Sequence, residues 1–436
     1  MSLPINSLNI IRTFVGKAEC PVRNMLLLGV MFLLSVRLGS AGELQLDALI
    51  DEALQNSPEI KAAGAGVAAS KHRISQAQSL SDPTVMVGYQ NEGFNKYTYG
   101  DSQDAQWLFS ASQMFPYPGK RSLKGEMAAK EAESVQAGYH IARLRTISKV
   151  AGFYYDLLLA YKTLVLLEDR VALFTRIEDA ATARYSSGMG SQQEVLMAQT
   201  EKYMVLEREE MQRQRIQSTE AMLNATLGRN SPPSFDRPAD PVPHPFAYSL
   251  SETIEIAQNN SHDIVAKKMM VEAAAARVEM AKKEYYPDLT VTANYANRGG
   301  GAEDMWSLTT QINIPLYYRT KQDESLHEAE ALLVVANNEL EATKLMVSSA
   351  IQDSYSMAKS AERLMNLYKN GLIPKTSQDI EAALSGYVTG KVEAITVILR
   401  LKALIDFETL YWEQFANREK AIIRLTTMAE MFEFGK

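Results

Sequence analysis

LQLDALIDEALQNSPEIKAA (residues 44–63) and YSLSETIEIAQNNSHDIVAK (residues 248–267) decide how this chain is read, because the second repeats the first. Leu46 aligns with Leu250, an offset of 204, and no gap is needed as far as Pro83. Ile50 then meets Ile254, Ala53 meets Ala257, and Asn56-Ser57 meets Asn260-Ser261. Arg73 meets Arg277 and Pro83 meets Pro287. Two unrelated amphipathic helices share apolar spacing by chance, but they do not share Asn-Ser, an arginine and a closing proline in register. Self-similarity at one long offset marks a tandem duplication.

The duplication continues outward. Gln113-Met-Phe-Pro116 resembles Gln311-Ile-Asn-Ile-Pro315, and Tyr185-Ser-Ser-Gly188 recurs as Tyr387-Val-Thr-Gly390. Between the copies, residues 229–249 are proline-rich and read as a linker. The organisation expected is a first repeat over 42–228, the linker, and a second repeat over 250–436.

Each repeat opens with a helix that Ser57-Pro58 or Ser261-His262 divides into a short and a longer piece. The longer piece must stop before Pro83 or Pro287, since proline disfavours helix in the residue before it. Strict alternation follows. Leu289, Val291, Ala293 and Tyr295 alternate with Asp288, Thr290, Thr292 and Asn294, and Trp306, Leu308, Thr310 and Ile312 behave likewise. Val85, Val87 and Tyr89, then Trp107, Phe109 and Ala111, repeat the pattern in the first half. Period two gives a strand with one apolar and one polar face. Two hairpins are expected, 84–115 and 288–314.

Long helical hairpins complete each repeat, 119–228 and 318–430. Lys120 to Ser187 contains no proline, and Ile147, Val150, Tyr154, Leu157, Tyr161 and Leu164 step by three and four. Val347, Ile351, Ser354, Ala358, Ala361 and Met365 do so in the second half. This is coiled-coil spacing, and a helix of that length extends roughly 100 Å. Gly371 and Pro374 are expected to break the second copy locally. Each long helix turns at its Tyr-x-x-Gly and returns.

The N-terminus reads as an export signal over residues 1–41. Arg12, Lys17 and Arg23 precede an apolar run from Met25 to Val36, and small residues follow at Gly39, Ser40 and Ala41. After residue 42, no segment reads as a transmembrane helix. The single cysteine, Cys20, precedes the apolar run, so neither a lipid anchor nor a disulfide is expected. The chain carries a net charge of −7. Removing the leader, which contributes +3 (Arg12, Lys17, Arg23 and Arg37 against Glu19), leaves −7 − 3 = −10. An acidic chain with no basic patch argues against nucleic acid as a partner.

An exported chain without spanning helices enters a membrane only through strands. Four strands cannot close a barrel, and unpaired edges in lipid are prohibitive. Three chains would pool twelve strands around an open lumen. The fold class expected is therefore a mixed α/β membrane protein. A trimeric transmembrane β-barrel, four strands per chain, continues into a long α-helical coiled-coil tunnel. In that arrangement the Tyr-x-x-Gly turns lie as far from the hairpins as the chain allows.

With these features in place the sequence resembles the TolC family of outer-membrane efflux proteins over residues 44–430. The resemblance rests on the duplicated Leu-x-x-Ala/Thr-Ile-x-x-Ala-x-x-Asn-Ser segment, on the two hairpins, and on RYSSGMGSQQEVLMAQ and GYVTGKVEAITVILR. FPYPGKRSLKGEMAAKEAE and LYKNGLIP look most like the metal-efflux branch. The resemblance implies a homotrimer in the outer membrane with a periplasmic tunnel. It implies an exit duct that receives substrates from an inner-membrane pump through a periplasmic adaptor. Tyr185, Gly188, Met189, Tyr387, Val388 and Gly390 are then the expected adaptor-contact tip. Glu194, Glu393, Thr396 and Leu399 are the candidates for a tunnel gate. The departure from the family pattern is that Thr396 and Leu399 stand where the best-known members carry acids.

Chemistry is not in view. His72, His140, His244, His262 and His327 show no metal-ligand spacing. Gly119-Lys120-Arg121 lacks the earlier glycine of a phosphate loop and reads as a helix start. The methionines read as core fillers, and no nucleophile–base pair is visible. The expectation is a passive channel without cofactor or metal, not an enzyme. The alternatives are the same architecture in type I protein secretion, or a soluble periplasmic coiled-coil adaptor. The adaptor reading requires one helical hairpin flanked by β-rich domains, and this chain has two hairpins and no such domains.

Overall fold

The computed structural model describes residues 44–230 and 235–431, so the leader at 1–41 and Cys20 lie outside the described residues. One order of elements occurs twice. First come helices α1 (Leu46–Asn56) and α2 (Pro58–Gln78), strands β1 (Thr84–Gln90) and β2 (Gln106–Phe115), then α3 (Lys120–Ser186) and α4 (Gln192–Leu227). The second passage is α5 (Leu250–Asn260), α6 (His262–Lys283), β3 (Leu289–Asn297), β4 (Met305–Ile312), α7 (Gln322–Leu367), α8 (Ile373–Val388) and α9 (Ala394–Met428).

The two passages break at the same point for the same backbone reason. Ser57 sits at φ −54°, ψ 124° and Ser261 at φ −57°, ψ 123°, extended values that no helix accommodates. Pro58 imposes this on Ser57. Ser261 adopts it without a following proline. The starts of α1 and α5 differ: Ser249 and Glu252 form a reciprocal capping box, whereas Gln45 caps α1 with no side-chain bond.

α3 runs unbroken for 67 residues. Its counterpart is built from 46 residues of α7, five in a π-helical turn (Tyr368–Leu372) and 16 of α8, together the same length. Gly371 and Pro374 therefore do not break the helix. Pro374 cannot donate to Asn370, and its ring would press on that carbonyl. A wider turn at 368–372 relieves the clash while the axis continues.

The four strands form one antiparallel sheet in the order β1-β2-β3-β4. Tyr89 faces Trp107, Trp107 faces Asn297, and Tyr295 faces Trp306 across the ladders. Directly opposed residues share a face. This register therefore gathers Val85, Val87, Trp107, Phe109, Val291, Leu308 and Trp306 on one side. Thr84, Ser110, Ser112, Thr290, Thr292, Ser307 and Gln311 lie on the other. Among the described residues nothing covers the apolar side: Trp306 is 81% exposed, Val85 72% and Leu308 67%. β1 and β4 are both unpaired edges among the described residues.

The cores are helical. One cluster joins Ile50, Val150, Tyr155, Leu223 and Phe415 from α1, α3, α4 and α9. A second, nearer the turns, joins Phe174, Ile177, Val205, Ile380, Leu401 and Ile405. Each such side chain contributes about 1.5–3 kcal/mol on burial. α3 also contains an 18-residue stretch apolar enough by composition to cross a membrane, against the expectation from sequence. More than half of that stretch is buried inside the chain, so packing accounts for its apolarity.

Sheet and helices meet at a fixed corner. The Lys120 ammonium is almost fully buried, 2.9 Å from Asp288 Oδ1 and 3.0 Å from the Tyr286 carbonyl. Asp288 also accepts the Tyr117 backbone N–H at 2.8 Å, and the rings of Tyr117 and Tyr286 stack 4.5 Å apart. Gly-Lys-Arg is indeed a helix start, but its lysine ties β3 to α3.

The helical tip as candidate functional site

The turns that end α3 and α8 are built alike. Gly188 has φ 73° and Gly390 has φ 74°, left-handed values that favour glycine. Met189 N–H donates to the Arg184 carbonyl at 2.8 Å, and Lys391 N–H to the Gly386 carbonyl at 2.8 Å. Gly188 N–H reaches Tyr185 and Gly390 N–H reaches Tyr387, each at 3.0 Å. This is the Schellman closure of a helix end.

The side chains depart from that symmetry. Tyr185 is 49% exposed; Tyr387 is 1% exposed. The Tyr387 hydroxyl donates to Glu194 Oε2 at 3.2 Å. The Arg184 guanidinium lies over the Tyr387 ring at 4.9 Å and donates to the Tyr387 carbonyl at 2.9 Å and the Met189 carbonyl at 3.2 Å. Arg184 Nε stands 4.0 Å from Glu194 Oε2. Burial, with the Glu194 charge beside it, pushes the Tyr387 phenol up to about 12, so it stays a donor at neutral pH. Three side chains from both turns thus form one latch.

The expected site residues therefore divide. Tyr185, Gly188, Met189, Val388 and Gly390 are exposed, and Met189 and Val388 are largely free at 71% and 74%. Tyr387 is not at the surface. Glu194, expected as a gate charge, is held by Tyr387 and by Arg184, a residue the sequence reading passed over. Glu393 is exposed at the N-cap of α9, Thr396 is half-buried, and Leu399 is exposed. Leu196 and Ile395, on the return helices near the turn, are exposed as well.

Ion pairs bind the two passages along the helices. Arg170 holds Glu408 at 2.5–2.6 Å, Lys402 holds Glu201 at 3.0 Å, and Lys420 holds Asp156 at 2.6 Å. Higher up, two histidines far apart in sequence come together: His140 and His262 have ring centroids 4.4 Å apart, and His262 also bonds Glu430. Burial, reinforced by the His262 and Arg143 charges, lowers the His140 pKa. Among the described residues no group of three or more His, Cys, Asp or Glu side chains is arranged to hold a metal ion. The methionines are not mainly core: Met189, Met204, Met211, Met222 and Met346 are all exposed. At the tip itself, exposed Met189 and Val388 flank the cluster of buried Tyr387 with Glu194 and Arg184.

Comparison with known proteins bears on what such a tip serves. The family described as "Outer membrane efflux protein" matches residues 49–229 and 253–399. The cobalt-zinc-cadmium resistance protein CzcC of Cupriavidus metallidurans is 23% identical, over 85% of this chain and 86% of that protein. The outer membrane protein TolC of Vibrio cholerae is 20% identical, over 82% and 84%. Among solved structures, that of CusC, described in terms of folding and transmembrane channel formation, superposes with a TM-score of 0.76 at 16% identity, covering 89% of this chain and 92% of that one. VceC of Vibrio cholerae, an outer membrane protein, gives 0.73 at 19% identity, covering 88% and 96%.

Proposed function

The chain belongs to the outer membrane efflux protein family, and on that premise we propose that three copies form the exit duct of a metal-cation pump, with a periplasmic adaptor docked on the exposed tips. The protein is an outer-membrane channel of a tripartite efflux system, with its helical part in the periplasm. The finer reading assigns residues 1–41 to a cleaved leader and 42–228 and 250–436 to two repeats about the 229–249 linker.

The observation that carries the trimer is the sheet. It has an uncovered apolar face and two unpaired edges, β1 and β4. Pairing β4 of one copy with β1 of the next satisfies both edges, and three copies give twelve strands. The apolar face then meets lipid and the Thr/Ser face meets water. In this reading Met189, Val388 and Tyr185 contact the adaptor. Tyr387–Glu194–Arg184 holds the tip closed, and Glu393, Thr396 and Leu399 flank the opening. Cobalt, zinc and cadmium are the proposed cargo class, on the likeness to the resistance protein. The channel takes part as a conduit without catalysing a reaction.

The test is a deletion strain. Loss of the gene should sensitise cells to these cations, and restoring it should bring back a trimer in the outer membrane that dissociates on heating. Recovery of the mature chain as a soluble periplasmic monomer would sink the channel assembly. Unchanged cation tolerance beside an intact trimer would remove only the cargo assignment.

A further inference from the structure

We propose that the groove between α3, α6 and α7, immediately below the sheet, binds a phospholipid headgroup carrying a primary amine, drawn from the periplasmic leaflet of the outer membrane. This rests on the sheet spanning that membrane.

The level of the membrane edge can be read from the side chains. Just outside the ends of β3 and β4, Tyr286, Tyr317 and Tyr318 are 47%, 79% and 43% exposed, with Ile314 and Leu316 exposed among them. Tyrosines with an apolar body and polar tip settle at the interface between acyl chains and water. The groove opens directly beneath this girdle, at Glu284 and Lys321, and encloses about 340 Å3.

Its lining is a headgroup's complement. Arg277 and Lys321 both face it, and neither makes an ion pair among the described residues. Lys120 and Lys282 on the neighbouring helices are paired, with Asp288 and Glu279. Two free cations at one mouth suit a phosphate. Gln322 also lines the groove. It is only 8% exposed, yet its side-chain carbonyl oxygen has no hydrogen-bond partner. A buried acceptor left unmade is unusual and calls for a donor. Glu328, likewise unpaired, lies on the same wall. An ammonium with three N–H groups can donate to the amide oxygen, and the Glu328 carboxylate adds negative charge to the same groove. Met127 and Met280 offer flexible apolar surface to the first methylenes of the lipid. A choline headgroup has the same charge but no N–H, so it cannot serve Gln322.

The experiment uses the mature full-length channel in nanodiscs of equimolar phosphatidylethanolamine, phosphatidylcholine and phosphatidylglycerol. Lipids retained after detergent exchange are counted by native mass spectrometry. The wild-type channel should retain phosphatidylethanolamine at least tenfold over phosphatidylcholine. Gln322→Met, of similar size, should erase that preference while keeping phosphate-dependent retention. The exposed pair Arg277→Gln and Lys321→Gln should lose retention of all three lipids. Equal retention of ethanolamine and choline lipids by the wild type would overturn the site. Displacement by soluble phosphoethanolamine as readily as by lipid would overturn the membrane source. A cross-link from position 322 to a neighbouring copy would give the groove to the second copy instead. Single-channel conductance of each variant is recorded in parallel. A channel that conducts but shows no lipid preference fails this proposal alone; one that never inserts fails the membrane reading beneath it.

Discussion

The turn at residues 185–190 and the turn at residues 387–392 share a backbone and differ in what their tyrosines do. Both close with a left-handed glycine and the same pair of amide bonds. Tyr185 nevertheless stands half in solvent while Tyr387 is enclosed and bonded to Glu194. The duplicated sequence supplies one turn geometry. The surroundings, above all Arg184 and Glu194 from the first copy, then give the second tyrosine a task the first does not have. A repeat is thus symmetric in its local code and asymmetric in its use.

That contrast can be broken most directly at the tyrosines. Tyr387→Ala should destabilise the tip by about 3–5 kcal/mol, the cost of removing a buried aromatic ring. Tyr185→Ala should stay within roughly 0.5 kcal/mol, as for a surface change. Hydrogen exchange over residues 175–200 and 380–405 reads both, and equal protection loss in the two variants would erase the distinction. Next in size, Tyr387→Phe removes a hydrogen bond to a charged group, worth about 1.5–3 kcal/mol, and Glu194→Gln keeps an acceptor but removes its charge, a smaller loss. Single-channel conductance should rise in both, while Tyr185→Phe should leave it unchanged. A closed-state conductance untouched by all three variants would mean that the bond is structural only.

The backbone half of the comparison predicts parity. Gly188→Ala and Gly390→Ala should each cost about 1–2 kcal/mol, the penalty for a side chain in left-handed geometry. A Cβ at Gly188 meets nothing within 4 Å, and one at Gly390 meets only Arg184 Nη1 at 3.5 Å. Neither should therefore add a clash, and thermal melts of the two variants should coincide. Smaller in stability but larger in function are Met189→Glu and Val388→Glu. Trimer yield should hold while cation efflux falls, and photo-crosslinking from either position should capture the adaptor. Efflux intact in both would remove the docking assignment.

The smallest effect lies at alkaline pH. The Tyr387 phenol is raised from 10.0 to about 12 in the fold. Its neutral form is thus favoured by folding. The stability it adds is complete below pH 10 and is lost as pH climbs through the folded value. Tyr387→Phe should flatten the pH dependence of tip protection in that window, and Tyr185→Phe should not.

Much of this architecture could be read from the sequence because it is local. The alternation at Leu289–Tyr295 reappears as β3 with the expected face, and β4 was overestimated by two residues only. Asn313 N–H leaves the β3–β4 ladder to bond the Asp288 carbonyl, and Pro315 follows. What escaped notice depends on partners distant in the chain. Tyr185 and Tyr387 sit in the same motif, and the approach of Arg184 and Glu194, the latter 193 residues away from Tyr387, separates their fates. His140 and His262 had no spacing to betray them, since the fold alone brings their rings together. Lys120 reads in the sequence only as part of a helix start. Its burial follows from Asp288 arriving on the far side of a strand. The π turn was anticipated as a break because Pro374 names a conflict without naming its solution.

That π turn has a consequence for how the two long rods can move. α3 and the α7–α8 rod match in residue count, but one carries a ladder widened at Tyr368–Leu372. A widened turn resets the angular phase of every side chain beyond it, and it is softer in bending and torsion than the regular helix on either side. In the proposed trimer the rods above residue 368 would be equivalent members of a pseudo-sixfold cylinder, and below it only three of the six would have a joint. An iris made of such rods would dilate by swinging alternate blades, and its aperture would pass from closed to open with threefold rather than sixfold symmetry.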